Sequence, residues 1–375
     1  MQKISWVTPS YFVDVDLPIL VELQNQYKID WQVVVIGKVS KDLKEYINMT
    51  LSDNTNIRLH YIEILYKVWD LRIIPIYYKI IKKAKEFSPD FYYTSLQGWP
   101  YGAFLFKLFM PLSKTVAACH NVSTPKGANR ESWAKVFTDL HLRTFKNIQV
   151  FSDSQKEILN SKYSHKNVLL APLAIKDYGT PTVPIKIFDK NNISFLFFGI
   201  IKDYKRVDLL INAAQSLYEE GYNNFSVTVA GSCDNWAETY APLIKYPHLF
   251  KTRIERIPNS DVANLFAQSD YFVMPYQDIA QSGAITVAYR YNLPIISSNL
   301  PQFKGFSENN ITGYLFESEN MESLKTMMKR VIEGGKQEHD NLQKSMSVFV
   351  NENFSINSIA NKYIAYFDQL SNLTK

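Results

Sequence analysis

Short apolar runs alternate with amphipathic stretches along most of the chain, and this alternation is the feature that most constrains the fold. Short apolar runs bounded by turn residues are typical of buried strands, whereas apolar positions that recur every three or four residues are typical of helices. Strands separated by helical spacers form βαβ units. The sequence therefore predicts mostly parallel sheets with helices on both faces.

The first half contains seven predicted strands and at least five predicted helices. The strands are Ile4–Pro9, Trp31–Ile36, Ile57–Ile64, Phe91–Thr94, Thr115–Cys119, Ile148–Phe151 and Asn167–Leu170. The helices are Leu17–Tyr27, Leu71–Phe87, Tyr101–Met110, Trp133–Phe145 and Asp153–Ser161. An aperiodic stretch with glycine and proline residues follows at Lys176–Lys190 and indicates a linker.

The alternation then restarts. The second set of predicted strands is Ser194–Phe198, Ser226–Ala230, Arg253–Ile257, Tyr271–Met274 and Pro294–Ser297. The second set of predicted helices is Val207–Glu220, Trp236–Lys245, Ser260–Ala267 and Gly283–Tyr291. The 375 residues suffice for two domains, so we expect two doubly wound α/β domains at 1–180 and 191–352. Ligands should bind at the carboxyl ends of the strands, in a cleft that the two domains face.

The tail is predicted to be one more helix, because apolar residues recur at helical spacing between Phe354 and Leu370. A long apolar stripe must be buried, so we expect residues 353–375 to pack back on the first domain. Cys119 and Cys233 are too few and too far apart for a disulfide framework or a metal cluster. We expect both to be free thiols of a reducing compartment.

The chain opens directly on a strand-like run, without a signal peptide, and no apolar run approaches the ~20 residues of a membrane span. We therefore expect a cytoplasmic protein, or one peripheral on the inner face of the cytoplasmic membrane. Residues 1–190 carry a net charge of +8 and residues 191–375 a net charge of −3. The basic half should meet an anionic partner.

The segment 65–85 is rich in aromatic residues and lysines, which suits a membrane interface with anionic lipids. The alternative is a core-packed helix with a solvated lysine face. A nucleic-acid partner is not expected, because the basic residues are dispersed and no known binding module is present.

The sequence FFGIIKDYKRVDLL, which begins at Phe197, predicts a strand that ends at Gly199, a basic loop and a helix. A glycine lets a ligand approach the backbone. Lys202, Lys205 and Arg206 place cations near the carboxyl end of the strand, where they suit a diphosphate. The alternative is an ordinary solvated basic loop.

The sequence MPYQDIAQSGAI, which begins at Met274, predicts a strand, a polar loop and a helix that Ser282 caps. The helix start at Gly283 and Ala284 would offer backbone N–H groups and a positive dipole end to a diphosphate. The alternative is an ordinary capped helix. Because both loops follow strands of one sheet, the two segments together are more specific than either alone.

These segments resemble the donor-binding domain of glycosyltransferase family 4, which has the GT-B fold. FFGIIKDYKRVDLLINA is similar to its strand, basic loop and helix, and MPYQDIAQSGAITVAYRYNLPIIS is similar to its loop, helix and following strand. The Asn310–Phe316 segment is similar to a further strand. The resemblance covers the second half, and the first half resembles the family only in architecture.

The sequence departs from the family pattern at several positions. Ile279 and Val287 stand where many members have two glutamates, and neither side chain can hydrogen-bond a sugar or a ribose hydroxyl. A Gln-Ser-Gly loop is associated with a polysaccharide-building subset, in which Asp278 and Gln281 would supply polar contacts. Ile200 replaces the usual arginine, a role that Lys202 would take. Arg206 replaces the usual glycine.

Three first-domain residues are catalytic candidates. His120 follows the strand Thr115–Cys119, as a histidine does in related enzymes, and can reach an acceptor hydroxyl or the donor sugar. Its alternative role is a local strand-end contact. Asp14 and Asp16 follow the first strand, and either carboxylate can act as a base or orient the acceptor. Because Asp16 is also placed to cap a helix starting at Leu17, Asp14 is the preferred catalytic candidate.

The resemblance implies a retaining glycosyltransferase that moves a sugar from a nucleotide-diphosphate sugar to a saccharide acceptor. We expect a lipid-linked acceptor of bacterial surface-polysaccharide synthesis, such as that of capsule or lipopolysaccharide. No metal is expected, because no carboxylate pair has metal-ligand spacing. The alternatives are a catalytically silent GT-B scaffold, which the missing glutamates suggest, and a nucleotide-sugar epimerase.

Overall fold

The protein folds into two compact units, which a computed structural model describes for residues 1–51, 56–97, 99, 101–123, 131–279 and 282–373. The first unit comprises Met1–Ala174 together with Phe354–Lys375, and the second comprises Ile175–Asn353. Each unit contains one parallel β-sheet with helices on both faces, as the sequence predicts.

The sheet of the first unit has seven parallel strands in the order β3-β2-β1-β4-β5-β6-β7. They are β1 (Gln2–Pro9), β2 (Tyr27–Ile36), β3 (Ile57–Ile64), β4 (Phe91–Thr94), β5 (Thr115–Ala118), β6 (Asn147–Val150) and β7 (Asn167–Leu170). The strand order reverses between β1 and β4. At such a switch point the connecting helices leave toward opposite faces, and a crevice opens beyond the carboxyl ends of the strands.

Six α-helices lie between these strands in the described part of the chain, and a seventh α-helix near the C-terminus belongs to the same unit. They are α1 (Val13–Leu23), α2 (Lys41–Leu51), α3 (Ile74–Glu86), α4 (Gly102–Phe109), α5 (Glu131–Thr144), α6 (Asp153–Lys162) and α13 (Ile356–Leu373). The first sheet has a separate apolar core on each of its two faces, and different helices contribute to each core. One contains the apolar sides of α1 and α13, and the other contains those of α3, α4 and α6.

The C-terminal helix α13 is part of the first unit, because it packs against α1 and β7. Its residues Ile359, Tyr363 and Phe367 are fully buried. The Tyr363 hydroxyl accepts a hydrogen bond of 2.6 Å from Nε2 of Gln149 on β6. Both the apolar stripe and a buried polar contact therefore tie the end of the chain to the first sheet.

The start of α1 differs from the prediction. The sequence suggested a helix from Leu17 with Asp16 as its cap, whereas α1 begins at Val13 and encloses Pro18. Asp16 is fully buried inside the helix and accepts hydrogen bonds from three side chains, so its carboxylate does not cap a helix end. The capping prediction is therefore wrong.

The sheet of the second unit repeats the same order with six parallel strands, β10-β9-β8-β11-β12-β13. The strands are β8 (Ile193–Phe198), β9 (Phe225–Ala230), β10 (Phe250–Arg253), β11 (Tyr271–Met274), β12 (Ile295–Ser298) and β13 (Gly313–Phe316). The helices are α7 (Val207–Glu219), α8 (Trp236–Thr239), α9 (Asn259–Ala267), α10 (Gly283–Arg290), α11 (Met321–Glu333) and α12 (Lys336–Phe354). The switch point lies between β8 and β11.

Two predicted elements of this unit are displaced. The strand predicted at Arg253–Ile257 corresponds to β10, which ends at Arg253, the first residue of the predicted strand. Ile257 lies in the loop that follows β10, and its apolar side chain is buried. The helix predicted at Trp236–Lys245 ends at Thr239, and a 3₁₀ turn follows at Ala241–Leu243. Pro242 explains that change, since its ring cannot continue an α-helix.

Residues 176–190, which were expected to form a linker, lack helices and strands and belong to the second unit. Asp177 forms an ion pair of 2.7 Å with Arg290 at the end of α10. Lys186 forms a buried ion pair with Asp270. No helix within the described part of the chain is long and apolar enough to cross a membrane.

Candidate functional site

The candidate donor site lies at the carboxyl ends of β8 and β11, the two strands that flank the switch point of the second unit. The β8 strand ends at Phe198 and continues into the basic loop, and β11 ends at Met274 and continues into the polar loop. The two strands are hydrogen-bonded neighbours, so the two loops emerge side by side. The structure thus brings together the two segments that the sequence singled out.

The backbone at the end of β8 is closely approached on two sides. Gly199 has a φ of +120°, and a Cβ there would lie 3.1 Å from Nζ of Lys205. Gly231, at the end of β9, has a φ of +152°, and a Cβ there would lie 2.0 Å from the carbonyl oxygen of Gly199. The positive φ values favour glycine at both positions, and the 2.0 Å approach excludes a side chain at Gly231. The Lys205 ammonium lies close to the end of β8.

Lys205 is a half-buried cation set between aromatic rings. Its Nζ lies 5.3 Å from the ring centroid of Tyr276 and 5.9 Å from that of Phe197. Burial lowers the pKa of Lys205 to about 8. Its ammonium makes no hydrogen bond or ion pair with any other described side chain. A desolvated cation without an anion at a switch point is suited to receive one.

The other two cations of the loop are already paired. Lys202 is exposed and forms an ion pair of 2.9 Å with Asp234, which raises the pKa of Lys202. Arg206 forms a two-pronged contact with Asp208, with distances of 2.8 to 3.1 Å. Arg206 has a φ of +48°, which explains why a glycine at this position suits the resembled family. Lys205 is therefore the loop cation available to a ligand.

The N-terminus of α10 faces the same site, but its capping differs from the prediction. Ser282 occupies the N-cap position, yet its side chain makes no capping hydrogen bond. The nearby phenol of Tyr276 is fully buried, and this burial raises its pKa. Gly283 and Ala284 form the half-buried first turn. The predicted side-chain cap is therefore wrong, although the predicted helix start is right.

Sequence reasoning missed a further cation, Lys176. A Cβ on Gly283 would lie 3.6 Å from Cε and 3.9 Å from Nζ of Lys176. The backbone N–H of Lys176 donates to Oγ1 of Thr286 at 3.3 Å, which fixes the residue beside the first turn of α10. Lys176 lies 107 positions before Gly283 in a stretch without periodicity, so no local pattern indicated this contact.

The polar loop contains the remaining donor-site candidates. Asp278 is half-buried, and its Oδ1 accepts from Nε2 of Gln302 at 3.5 Å. Ile279 and Val287, which replace the two glutamates of the resembled family, are both buried. Gln281 lies outside the described residues. No carboxylate stands at either glutamate position, and Asp278 is the nearest acidic residue in sequence.

His120 of the first unit lies in an aromatic sandwich. Its ring stacks on Phe12 at a centroid distance of 3.7 Å and on Phe151 at 4.6 Å. Burial lowers the pKa of His120 to about 3, so the imidazole is neutral at neutral pH. Oε1 of Gln97 accepts from the backbone N–H of His120 at 2.5 Å and fixes the loop. Both ring nitrogens are buried and the ring is neutral, so it is poorly suited to take a proton.

Asp14 and Asp16 have different environments although both lie in α1. Asp14 is half-buried in the first turn, at the carboxyl edge of the sheet. Asp16 accepts hydrogen bonds from Trp6 (3.0 Å), Thr8 (2.7 Å) and Ser95 (3.2 Å). Burial raises the pKa of Asp16 to about 6 despite these contacts. Asp14 is thus the more accessible carboxylate.

Metal ligands are not clustered in the parts of the chain that the structure describes, where no three His, Cys, Asp or Glu side chains form a possible metal site. The cations and backbone N–H groups around Gly199 and Gly283 could counter the charge of a diphosphate.

Comparison with known proteins supports the reading of the second unit. Residues 192–334 match the family model described as "Glycosyl transferases group 1". No curated protein matches the sequence. The matched range contains Gly199, Lys205 and the whole of α10. The second unit is accordingly a group 1 glycosyltransferase domain, which places the protein among the glycosyltransferases as a class of enzymes.

Solved structures of similar fold extend over the whole chain. A glycosyltransferase from Rickettsia africae is 17% identical, with a TM-score of 0.72 over 99% of this chain and 98% of that one. HepE from Anabaena, solved with UDP and glucose, is 13% identical, with a TM-score of 0.70 over 98% and 100%. Staphylococcus aureus TarM, solved with UDP and saccharide ligands, is 11% identical, with a TM-score of 0.67 over 98% and 100%. These similarities establish the GT-B fold and confirm the predicted fold class.

Proposed function

We propose that this glycosyltransferase domain transfers a sugar from a nucleotide-diphosphate sugar to a saccharide acceptor with retention of the anomeric configuration. The observation that carries the proposal is the position of Lys205. Its ammonium lies over Gly199 at the switch point, and no other described side chain pairs with it. HepE and TarM, which share the fold, were solved with UDP. We further assign the chain to glycosyltransferase family 4, on the motifs around Gly199 and Ser282.

In the proposed reaction, the bond between the anomeric carbon and the β-phosphate oxygen breaks, and its electron pair leaves with the nucleoside diphosphate. The acceptor hydroxyl oxygen bonds to the anomeric carbon on the face that the phosphate leaves, and its proton passes to a base. Lys205 and the N–H groups of Gly283 and Ala284 stabilise the negative charge that builds on the leaving group. Lys202 would contribute after exchanging Asp234 for a phosphate. No step requires a metal.

The acceptor is proposed to bind the first unit. Asp14 is the proposed base, because it is the more accessible carboxylate of α1, and His120 is proposed to orient a hydroxyl with its neutral ring. Asp278 and Gln281 are proposed to contact the donor in place of the two missing glutamates. The acceptor is proposed to be a lipid-linked saccharide of surface-polysaccharide synthesis, handled by a protein peripheral to a membrane. The net charge of +8 on residues 1–190 supports binding to an anionic membrane surface during that step.

The test is thermal stabilisation of the full chain by UDP, GDP, ADP, dTDP and CMP, followed by donor turnover. A ligand that binds the folded state raises its stability, so one nucleoside diphosphate should shift the melting temperature. Lys205→Ala should abolish that shift and lower turnover by on the order of 100-fold. The matched control is Lys190→Ala, an exposed lysine of the same unit, which should behave as wild type.

Other outcomes separate the alternatives. Nucleotide binding without transfer to any saccharide would favour a catalytically silent scaffold, which the buried Ile279 and Val287 suggest. Conversion of the donor sugar without an acceptor would favour an epimerase. Wild-type turnover by Lys205→Ala would refute the site itself.

A further inference from the structure

The first unit exposes an apolar surface that its core does not explain. In α4, Leu105 and Phe106 are buried, whereas Phe104 and Leu108 are each 57% exposed. These two residues are four positions apart and therefore lie on the same outer face of the helix. Single exposed apolar residues are common, but contiguous ones mark an interaction surface.

Neighbouring elements extend this face. The Tyr78 ring of α3 packs edge-on against Phe109 at a centroid distance of 6.1 Å, and both side chains are exposed. The Tyr101 hydroxyl, at the start of α4, donates to the carbonyl oxygen of Trp69 at 3.0 Å. That bond joins the helix to the loop before α3. The apolar face is thus defined by Trp69, Leu71, Tyr78, Phe104, Leu108 and Phe109.

Lysines border the apolar face. Lys107 lies between Phe104 and Leu108 in sequence, Lys79 follows Tyr78, and Lys67 lies 6.0 Å from the Trp69 ring. All three lysines are exposed, and none forms an ion pair with a described residue. The acidic Asp70 is instead paired with Arg72 at 2.6 Å. The rim therefore carries uncompensated positive charge.

We propose that this apolar face binds a membrane surface that contains anionic lipids. Tryptophan and tyrosine favour the boundary between lipid tails and headgroups, and lysines extend their ammonium groups to anionic headgroups. A second copy of the chain is disfavoured, because a two-fold contact through this face would place lysines against lysines.

The structure divides the segment 65–85 between the core and the surface. The apolar side of α3, which includes Tyr77, Ile80 and Ile81, is buried in the core. Most of the segment 74–86 is therefore a core-packed helix with a solvated lysine face. The exposed apolar residues of the face lie before α3, at Tyr78 of α3 and on α4. Both helices begin on the carboxyl side of the sheet, where ligands bind in such folds. The link between the apolar face and this ligand-binding edge rests on the proposed function, in which the acceptor is lipid-linked.

The test is flotation of the full chain with vesicles of phosphatidylcholine alone or mixed with phosphatidylglycerol. We expect binding to the mixed vesicles that weakens with added salt, and little binding to phosphatidylcholine alone. Phe104→Ser/Leu108→Ser should lower the affinity on the order of tenfold or more. Lys79→Glu/Lys107→Glu should lower it by at least about fivefold for each lysine. The lysine variant changes only exposed charged residues and leaves every apolar contact of α4 in place. It therefore tests the surface even if the serine variant folds poorly.

The matched control is Ile185→Ser/Ile187→Ser, which removes two exposed apolar side chains from the second unit and should bind as wild type. Equal binding to both vesicle types, or an equal loss in the control, would overturn the proposal. So would a wild-type dimer that Phe104→Ser/Leu108→Ser dissociates without any vesicle binding. Nucleotide-induced stabilisation of each variant reports the donor site separately, so failure of the membrane face is distinguishable from failure of the proposed enzyme.

Discussion

The Lys205 ammonium lies 3.1 Å from the position that a Cβ on Gly199 would occupy. One added methyl group would therefore displace the cation that the proposed leaving group needs. Gly199→Ala should lower the affinity for the nucleoside diphosphate at least tenfold, as measured by titration calorimetry. It should also cost about 1–3 kcal/mol of stability, because its φ of +120° is strained for alanine.

Gly221→Ala separates these two effects. Gly221 also has a positive φ, of +95°, but a Cβ there meets nothing within 4 Å. This control should lose similar stability and keep the wild-type nucleotide affinity. Equal nucleotide affinity in the two variants would show that the space above Gly199 is not part of the donor site.

Nucleotide binding should depend on pH through Lys205. Burial lowers the pKa of its ammonium to about 8, so the free protein loses this cation as the pH rises above that value. The affinity for the diphosphate should fall by up to about tenfold per pH unit above pH 8, until the affinity of the neutral form is reached. Lys205→Arg stays charged over this range and should show a flat profile. A wild-type profile that is equally flat would contradict the role of Lys205.

The fold was predictable from sequence because each strand is a compact apolar run. Ile57–Ile64, Phe91–Thr94 and Tyr271–Met274 match the observed strands to the residue. The errors have local causes. Pro242 ended a predicted helix early. Ile257 was assigned to a strand because it is apolar, but it lies in a loop whose position buries its side chain.

The geometry of the candidate donor site was predictable only in part. Glycine and lysine near a strand end are local signals, so the sequence singled out Gly199 and Lys205, which the structure places next to each other. The pairing of Lys202 with Asp234 depends on a loop 32 positions away, and the contact of Lys176 with Gly283 depends on one 107 positions away. The burial of Asp16 likewise depends on Ser95 from another strand end. Such tertiary contacts leave no periodic trace in the sequence.

The C-terminal helix should stabilise the first unit. Phe367 is fully buried against Phe91 at a centroid distance of 4.9 Å, so Phe367→Ala leaves a cavity. We expect a loss of about 3–5 kcal/mol in the free energy of unfolding of that unit, measured by urea denaturation. Val348→Ala, at an exposed position of α12, should change stability by less than about 0.5 kcal/mol. A small effect at Phe367 would mean that the helix docks loosely.

Lys176 should contribute to diphosphate binding from beside the first turn of α10. Lys176→Ala should lower nucleotide affinity by about three- to tenfold at low salt, with less effect at high salt. Lys190→Ala, at an exposed position later in the same segment, should have no effect. An unchanged affinity in Lys176→Ala would assign Lys176 a purely structural role.

Asp16 should make the stability of the first unit depend on pH. Burial raises its pKa to about 6, so the folded state holds a proton that the unfolded state releases between about pH 4 and 6. This contribution to stability is therefore full below about pH 4 and is lost as the pH rises through about 6. Asp16→Asn keeps an acceptor for Trp6, Thr8 and Ser95 but does not titrate. Relative to wild type, this variant should gain on the order of 3 kcal/mol between about pH 4 and 7 in urea denaturation. The other carboxylates are common to both proteins and cancel, so a constant difference across this range would show that Asp16 is ionised throughout.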